Sequence, residues 1–309
     1  MDSLAHISLD FSPESLRILN LSLAFIMFGV ALSIRPEHFR AVLARPASVG
    51  IGLLSQLVLL PALTFLLVIV VRPDPGIALG MFLVAACPGG NVSNYFSLVG
   101  RANPALSVSL TGISTLGSVV CTPFLFEFWG NRYGPTASLL QQIDVTFLEV
   151  LVQILFVLTL PVLAGFLTQR FFPEVSQRLA VPIRHLSFLI LLTFIGVALY
   201  ANAQAFVRFI HLVLGLVFLH NATALASGYF LAWSLGQPVE NRRSISIETG
   251  IQNSGLGLIL IFTFFGGHGG MALVAAWWGI WHILAGAAVA RLFAFQDSRA
   301  VPALEGQGA

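Results

Sequence analysis

Apolar runs of about 20 residues, the length a helix needs to cross some 30 Å of hydrocarbon, recur along the whole chain with only short polar intervals between them. Nine of them read as transmembrane helices, at roughly 15–34, 47–71, 76–100, 103–129, 142–169, 180–201, 206–234, 243–265 and 269–296. A polar tail over 1–14 precedes them and another over 297–309 follows. The pattern predicts an all-α polytopic membrane protein. The first tail carries Asp2, Asp10 and Glu14 ahead of Arg17, unlike the positively charged start of a secretory signal, so the first run is expected to be retained.

Two runs are interrupted. The third contains Cys87-Pro88-Gly89-Gly90-Asn91-Val92-Ser93-Asn94, in which a proline removes a backbone donor and two glycines release the chain from helical geometry. The eighth contains Glu248-Thr249-Gly250-Ile251-Gln252-Asn253-Ser254-Gly255, a polar stretch equally out of place in hydrocarbon. The two breaks lie five helices apart, and an odd separation means opposite directions of crossing. An inverted repeat is therefore expected, with the second to fourth runs matching the seventh to ninth and the fifth as connector. Paired interruptions of this kind point to a transporter's binding site.

Composition closes off other classes. The chain has 309 residues, 57% hydrophobic and 9% charged, against roughly 25% charge in soluble domains. Its 15 basic residues are all arginine, set against 13 acids, and a net charge of +2 is no footprint for nucleic acid. Cys87 and Cys121 both fall in apolar stretches, which argues against a disulfide framework or a cysteine metal site. With the N-terminus outside and the C-terminus in the cytoplasm, eleven arginines fall on inner loops and four, Arg17, Arg72, Arg132 and Arg208, on outer ones. The opposite orientation inverts that ratio against the positive-inside rule. The expected location is the plasma membrane, or the inner membrane of a bacterium.

Among the acids only Glu248 lies near the middle of an apolar run, where a carboxylate costs at least about 2.5 kcal/mol to insert unless partnered. No Lys or Arg is expected at mid-depth, so its counter-charge is a proton or a metal cation. Ser93, Asn94, Ser107, Thr111, Gln56 and Gln252 supply hydroxyl and amide oxygens, and unwound backbone adds carbonyls. That set suits a hard cation, sodium best, and not a soft metal. Ser109, Ser114 and Thr115 read as ordinary interhelical hydroxyls. The histidines from His211 to His282 are scattered and read as interhelical or interfacial groups, with His282, beside Trp281, the one placed to face a cavity. Phe265-Gly266-Gly267-His268-Gly269-Gly270 follows no strand, so it reads as an outer loop and not a nucleotide motif.

At the two breaks the sequence resembles the bile acid:sodium symporter family of secondary transporters. Cys87 to Asn94 followed by Ala105-Leu106-Ser107-Val108 is similar to that family's fourth-helix signature, and Glu248 to Gly255 to its ninth. The resemblance implies a core domain (47–129 and 206–296) and a panel domain (15–34, 142–169 and 180–201), with the broken helices crossing in the core. It implies two sodium ions. One falls on Ser93, Asn94, Ser107, Thr111 and Glu248. The other falls on Gln56, Glu248, Gln252 and the carbonyls of Thr249 and Ile251, with Gln56 placed by its interval to Pro61. Asn253 and His282 match cavity-lining positions, and the half-helix N-termini near Asn91 and Asn253 supply attraction for an anion. The chain departs from the family in showing nine helices where bacterial members commonly have ten, in Ile283 where a polar partner of His282 is often found, and in Asn91 where some members carry a hydroxyl residue.

The function these expectations define is sodium-coupled import of an organic anion, a carboxylate or bile-acid-like molecule, by alternating access. Two sodium ions, one Glu248 carboxylate and one monoanion sum to zero charge. A proton-coupled or sodium-independent exporter of an anion or metalloid is the rival on a related fold. An enzyme is disfavoured because no nucleophile–base pair or metal cluster occurs at recognisable spacing. The bilayer is the expected setting, with no nucleic acid and no obligatory protein partner.

Overall fold

The computed structural model describes residues 13–32, 46–143, 152, 159–201 and 203–300. These residues form twelve helices: α1 (Pro13–Leu32), α2 (Pro46–Val71), α3 (Pro75–Ala86), α4 (Val92–Val99), α5 (Pro104–Gly130), α6 (Gly134–Ile143), α7 (Leu160–Phe171), α8 (Pro173–Ala201), α9 (Ala203–Ser234), α10 (Val239–Gly250), α11 (Ser254–Phe264) and α12 (Gly269–Ala300). Among the described residues four stretches are long and apolar enough to cross a membrane: Pro46–Val71, Pro104–Gly130, Phe209–Ser234 and Gly269–Asp297. Of the fifth expected span, residues 144–151 and 153–158 lie outside the described residues, as do the two tails apart from 13–14 and 297–300.

Local chemistry sets the helix ends. Asp74 caps α3 by accepting from the Gly76 amide at 2.9 Å, and Asn103 caps α5 by accepting from Leu106 at 3.1 Å, each followed by a proline that needs no partner at the first helical position. Within α2, Pro61 cannot donate a backbone hydrogen bond, and the preceding Ser55–Leu59 widens to π geometry, with the Leu60 amide reaching the Ser55 carbonyl. That widened turn carries Gln56.

The interruptions fall where the polar stretches predicted. Between α3 and α4 the backbone is unwound from Cys87 to Asn91, and between α10 and α11 from Ile251 to Asn253. The two breaks meet antiparallel, Gly89 bridging Gln252. The Gly90 amide donates to the Ile251 carbonyl at 2.7 Å and the Asn253 amide to the Pro88 carbonyl at 2.8 Å. Each break therefore satisfies backbone groups the other exposes, as burial in a membrane demands. The second break is shorter than its polar sequence suggested. Glu248, Thr249 and Gly250 stay helical, because Thr249 Oγ1 bonds the Ile245 carbonyl at 2.7 Å and Asn221 Nδ2 donates to the Gly250 carbonyl at 2.6 Å.

Packing divides the helices into two sets. Helices α1, α7 and α8 lie against one another, while α2 to α5 and α9 to α12 pack around the crossing, with α1 against α11 and α8 against α9 as the links. α3 is apolar on all faces and buried from Gly76 to Ala86, as a helix without a polar face must be. A side chain at Gly80 would come within 2.9 Å of the Met271 Cα, so this glycine lets α3 and α12 touch.

One expectation is corrected by the structure. Arg243, assigned from sequence to an inner loop, lies inside α10 and is only 4% exposed. A buried arginine is therefore present, but its charge is taken by Asp297 at 2.6 Å. Asp297, assigned to the tail, belongs to α12. An ion pair between segments that far apart in sequence lets arginine enter a position that hydropathy alone places in a loop.

Candidate ion site at the helix crossing

Glu248 lies in the last turn of α10, buried to 1% exposure. Ser93 at the start of α4 donates to its Oε2 at 2.6 Å, Ser107 on α5 donates to the same oxygen at 3.0 Å, and Thr111 donates to Oε1 at 2.6 Å. Ser107 and Thr111 are four residues apart and so share one face of α5. Each hydroxyl has one proton, and at these distances it points at the carboxylate. Thr111 Oγ1 also lies 3.1 Å from the Ser107 carbonyl, 3.3 Å from Asn94 Oδ1 and 3.4 Å from Ser93 Oγ. Hydroxyl, carbonyl, amide and carboxylate oxygens are thus clustered here, a set of the kind a hard cation takes.

The second predicted group sits on the other side of Gly89. A Cβ added there would run into Glu248 Oε1 and come within 2.9 Å of Gln56 Nε2, so this glycine separates the two side chains. Gln56 is fully buried, and neither amide atom has a hydrogen-bond partner among the described residues. Gln252 Nε2 donates to the Thr249 carbonyl at 2.9 Å, while its Oε1 is buried without a partner among them. The Ile251 carbonyl already accepts from Gly90, leaving its second lone pair. Orphaned buried amide oxygens are rare and call for an explanation such as an ion.

Among the described residues no group of three or more His, Cys, Asp or Glu is placed to hold a metal, and the polar groups at the crossing are hydroxyls, amides, carbonyls and one carboxylate. The three residues expected at the substrate cavity are not joined to each other by hydrogen bonds. Asn91 stands exposed at the N-terminus of α4 without a side-chain cap bond, Asn253 caps α11 by accepting from Leu256 at 3.0 Å, and His282 is buried on α12 with Nδ1 unpartnered among the described residues.

Sequence reasoning missed three contacts. Ser55 shares a 2.9 Å hydroxyl contact with Thr249, Asn221 holds the end of α10, and Ser114 accepts from the Gly89 amide at 3.3 Å. Ser114 reads in the sequence as a packing hydroxyl, yet it touches the break. Ser109, expected to be an interhelical hydroxyl, donates to the Ala105 carbonyl of its own helix at 2.7 Å.

A multi-helix membrane fold with a polar, oxygen-lined crossing of two broken helices defines a transporter, and comparison with known proteins agrees. The pattern of the Sodium Bile acid symporter family matches residues 20–209. An uncharacterized sodium-dependent transporter, YocS, of Bacillus subtilis is 30% identical over 87% of this chain and 80% of its own length. The probable chloroplastic sodium/metabolite cotransporter BASS2 of rice is 31% identical over 79% of this chain and 56% of its own, and the bovine P3 protein 32% identical over 81% and 52%. The chain thus spans little more than half the length of the latter two. It belongs to the sodium bile acid symporter family and is a transporter, not an enzyme.

Proposed function

We propose that the chain is a sodium-coupled symporter that imports an organic anion by alternating access. The observation that carries this is the Glu248 cage: one buried carboxylate with no cationic partner among the described residues, ringed by Ser93, Ser107, Thr111 and Asn94, next to the unpartnered amide of Gln56 and the unpartnered Oε1 of Gln252. One sodium ion belongs to the cage and a second to Gln56, Gln252, Glu248 and the carbonyls of Thr249 and Ile251. The name of the Bacillus relative, sodium-dependent transporter, supports the choice of ion.

In this reading the two crossing helices descend from an inverted repeat. The helices around them form the core, and α1, α7 and α8 with the fifth span form the panel against which the core rocks. Two bound cations and the positive half-helix ends at Asn91 and Asn253 attract an anion, and His282 lines its cavity. The N-terminus lies outside and the C-terminus in the cytoplasm, in the plasma membrane or a bacterial inner membrane.

The test is a thermal-stability screen of small carboxylates and bile-acid-like anions on purified protein, with and without sodium. A ligand that binds the folded state raises its apparent stability. Stabilisation by an anion only when sodium is present supports the reading; an anion bound equally tightly in potassium overturns it.

A further inference from the structure

Arg243 joins three elements, α10, α12 and the turn that closes α4. Its Nη1 and Nη2 make a two-pronged pair with Asp297 of α12 at 2.7 and 2.6 Å. Nη1 also faces the carbonyls of Gly100 and Arg101 at 3.5 and 3.4 Å, and the guanidinium lies over the Phe293 ring at 5.4 Å. Gly100 and Arg101 close α4, where the last carbonyls of a helix lack internal partners and carry its negative end. Arg101 adopts a left-handed φ of 50°, so the turn into α5 is tight and its carbonyls are fixed in direction.

The Glu248 cage takes its donors from α4 and α5 and its carboxylate from α10. At the same end, α5 is tied to α10 by Ser244 Oγ donating to the Asn103 carbonyl at 2.8 Å and by Asn103 Nδ2 donating to Asn241 at 2.9 Å. α4 has no such ties among the described residues. It is eight residues long, joined to Glu248 through Ser93 near one end, clustered through Phe96 with Ile247, Ile251, Ala290 and Phe293 in its middle, and faced at its carbonyl end by Arg243. Glu248 lies five residues beyond Arg243, about 7.5 Å along the helix, so the guanidinium and the carboxylate belong to one short rigid segment that touches both ends of α4.

We infer that Arg243 is a positioning residue for the ion cage: by gripping the carbonyl end of α4 while itself anchored on Asp297, it holds Ser93 and Asn94 in register with Glu248. The inference rests on the sodium reading of that cage. A planar fork carrying charge to both a carboxylate and two carbonyls is a task for arginine that lysine or glutamine cannot reproduce.

The test is equilibrium binding of radioactive sodium to the purified full-length protein. Arg243→Gln should raise the sodium concentration for half-saturation roughly 10-fold or more, the range seen when groups that orient metal ligands are removed, and Arg243→Lys should recover only part of it. The swap Arg243→Asp with Asp297→Arg restores an ion pair but sets a carboxylate against the Gly100 and Arg101 carbonyls, so it should not restore affinity. An ion pair of purely structural value would be rescued by the swap. If Arg243→Gln does not fold, the lysine variant and the swap decide. Wild-type affinity in the variants, or full rescue by the swap, overturns the positioning role alone, whereas wild-type protein that binds no sodium overturns the ion reading with it.

Discussion

Gly89 and Glu248 approach so closely that no side chain fits between them: a Cβ on Gly89 would occupy the space of the Glu248 Oε1 atom, with Gln56 Nε2 2.9 Å away on its other flank. Gly89→Ala should therefore displace the carboxylate from Thr111 and end sodium-driven uptake. The crossing bonds of Gly90 and Asn253 do not involve the new methyl group, so the protein should still fold and insert. Uptake by reconstituted protein alongside its size-exclusion profile checks both halves, and a folded, fully coupled Gly89→Ala transporter would refute the tight packing.

Glu248→Gln should abolish sodium-driven uptake in a folded protein. The amide brings donor hydrogens toward Ser93, Ser107 and Thr111, which already donate to this side chain, and it removes the fixed negative charge of the site. Folding should survive, because an uncharged isostere is easier to bury at mid-membrane than a carboxylate. Ser109→Ala, which removes a bond to its own helix backbone, should leave coupling nearly unchanged. Wild-type coupling in Glu248→Gln would make the carboxylate structural.

The helical character of the chain was legible because hydrocarbon demands long apolar runs, and the breaks because Pro88, Gly89 and Gly90 and the run from Glu248 to Gly255 violate that apolar rule openly. Ser93, Asn94, Ser107 and Thr111 were legible with them, lying in or just beyond one signature. The ion pair of Arg243 with Asp297, 54 residues apart, was not, since sequence gives no register between distant helices and the pair Arg242-Arg243 at the start of an expected span reads as part of a loop. Ser55 and Ser114 were invisible for a related reason: a serine in an apolar helix carries no sign of whether it bonds its own backbone, as Ser109 does, or a neighbour.

His220 offers a stability test away from the cage. Fully buried on α9 and packed on the Trp278 ring at 4.8 Å, it bonds through Nε2 to Thr64 Oγ1 at 2.7 Å. Thr64→Val keeps the shape and orphans that nitrogen, which should cost about 1 kcal/mol, in the range of interhelical hydrogen bonds in membranes. Thr64→Val with His220→Leu removes both partners and should recover part of the loss. Thermal unfolding of the single and double variants measures this, with equal stability of Thr64→Val and wild type as the contrary result.

The arginine asymmetry predicts topology. Arg72 and Arg132, both exposed at helix ends, belong outside in the proposed orientation, while Arg178 and Arg242 belong inside. Single cysteines at the first two positions should react with a membrane-impermeant reagent in intact cells, and cysteines at the other two only after permeabilisation. The reverse pattern would invert the molecule and turn the proposed importer's inner face outward.

The charge of the proposed site fixes how uptake responds to voltage. If two sodium ions, one at the Ser93–Thr111 cage and one beside Gln56 and Gln252, accompany one monoanion, each cycle carries one net positive charge inward. Moving that charge through 100 mV is worth about 2.3 kcal/mol, so an inside-negative potential should speed uptake of a monoanion into proteoliposomes and collapse of the potential should slow it. Gln56→Leu takes one amide from the second group of ligands and leaves the Glu248 hydroxyl contacts in place. Sodium binding to that variant should therefore saturate at half the wild-type number of ions. Voltage-independent uptake of a monoanion, with one sodium ion bound in both wild type and Gln56→Leu, would reduce the count to a single ion at Glu248.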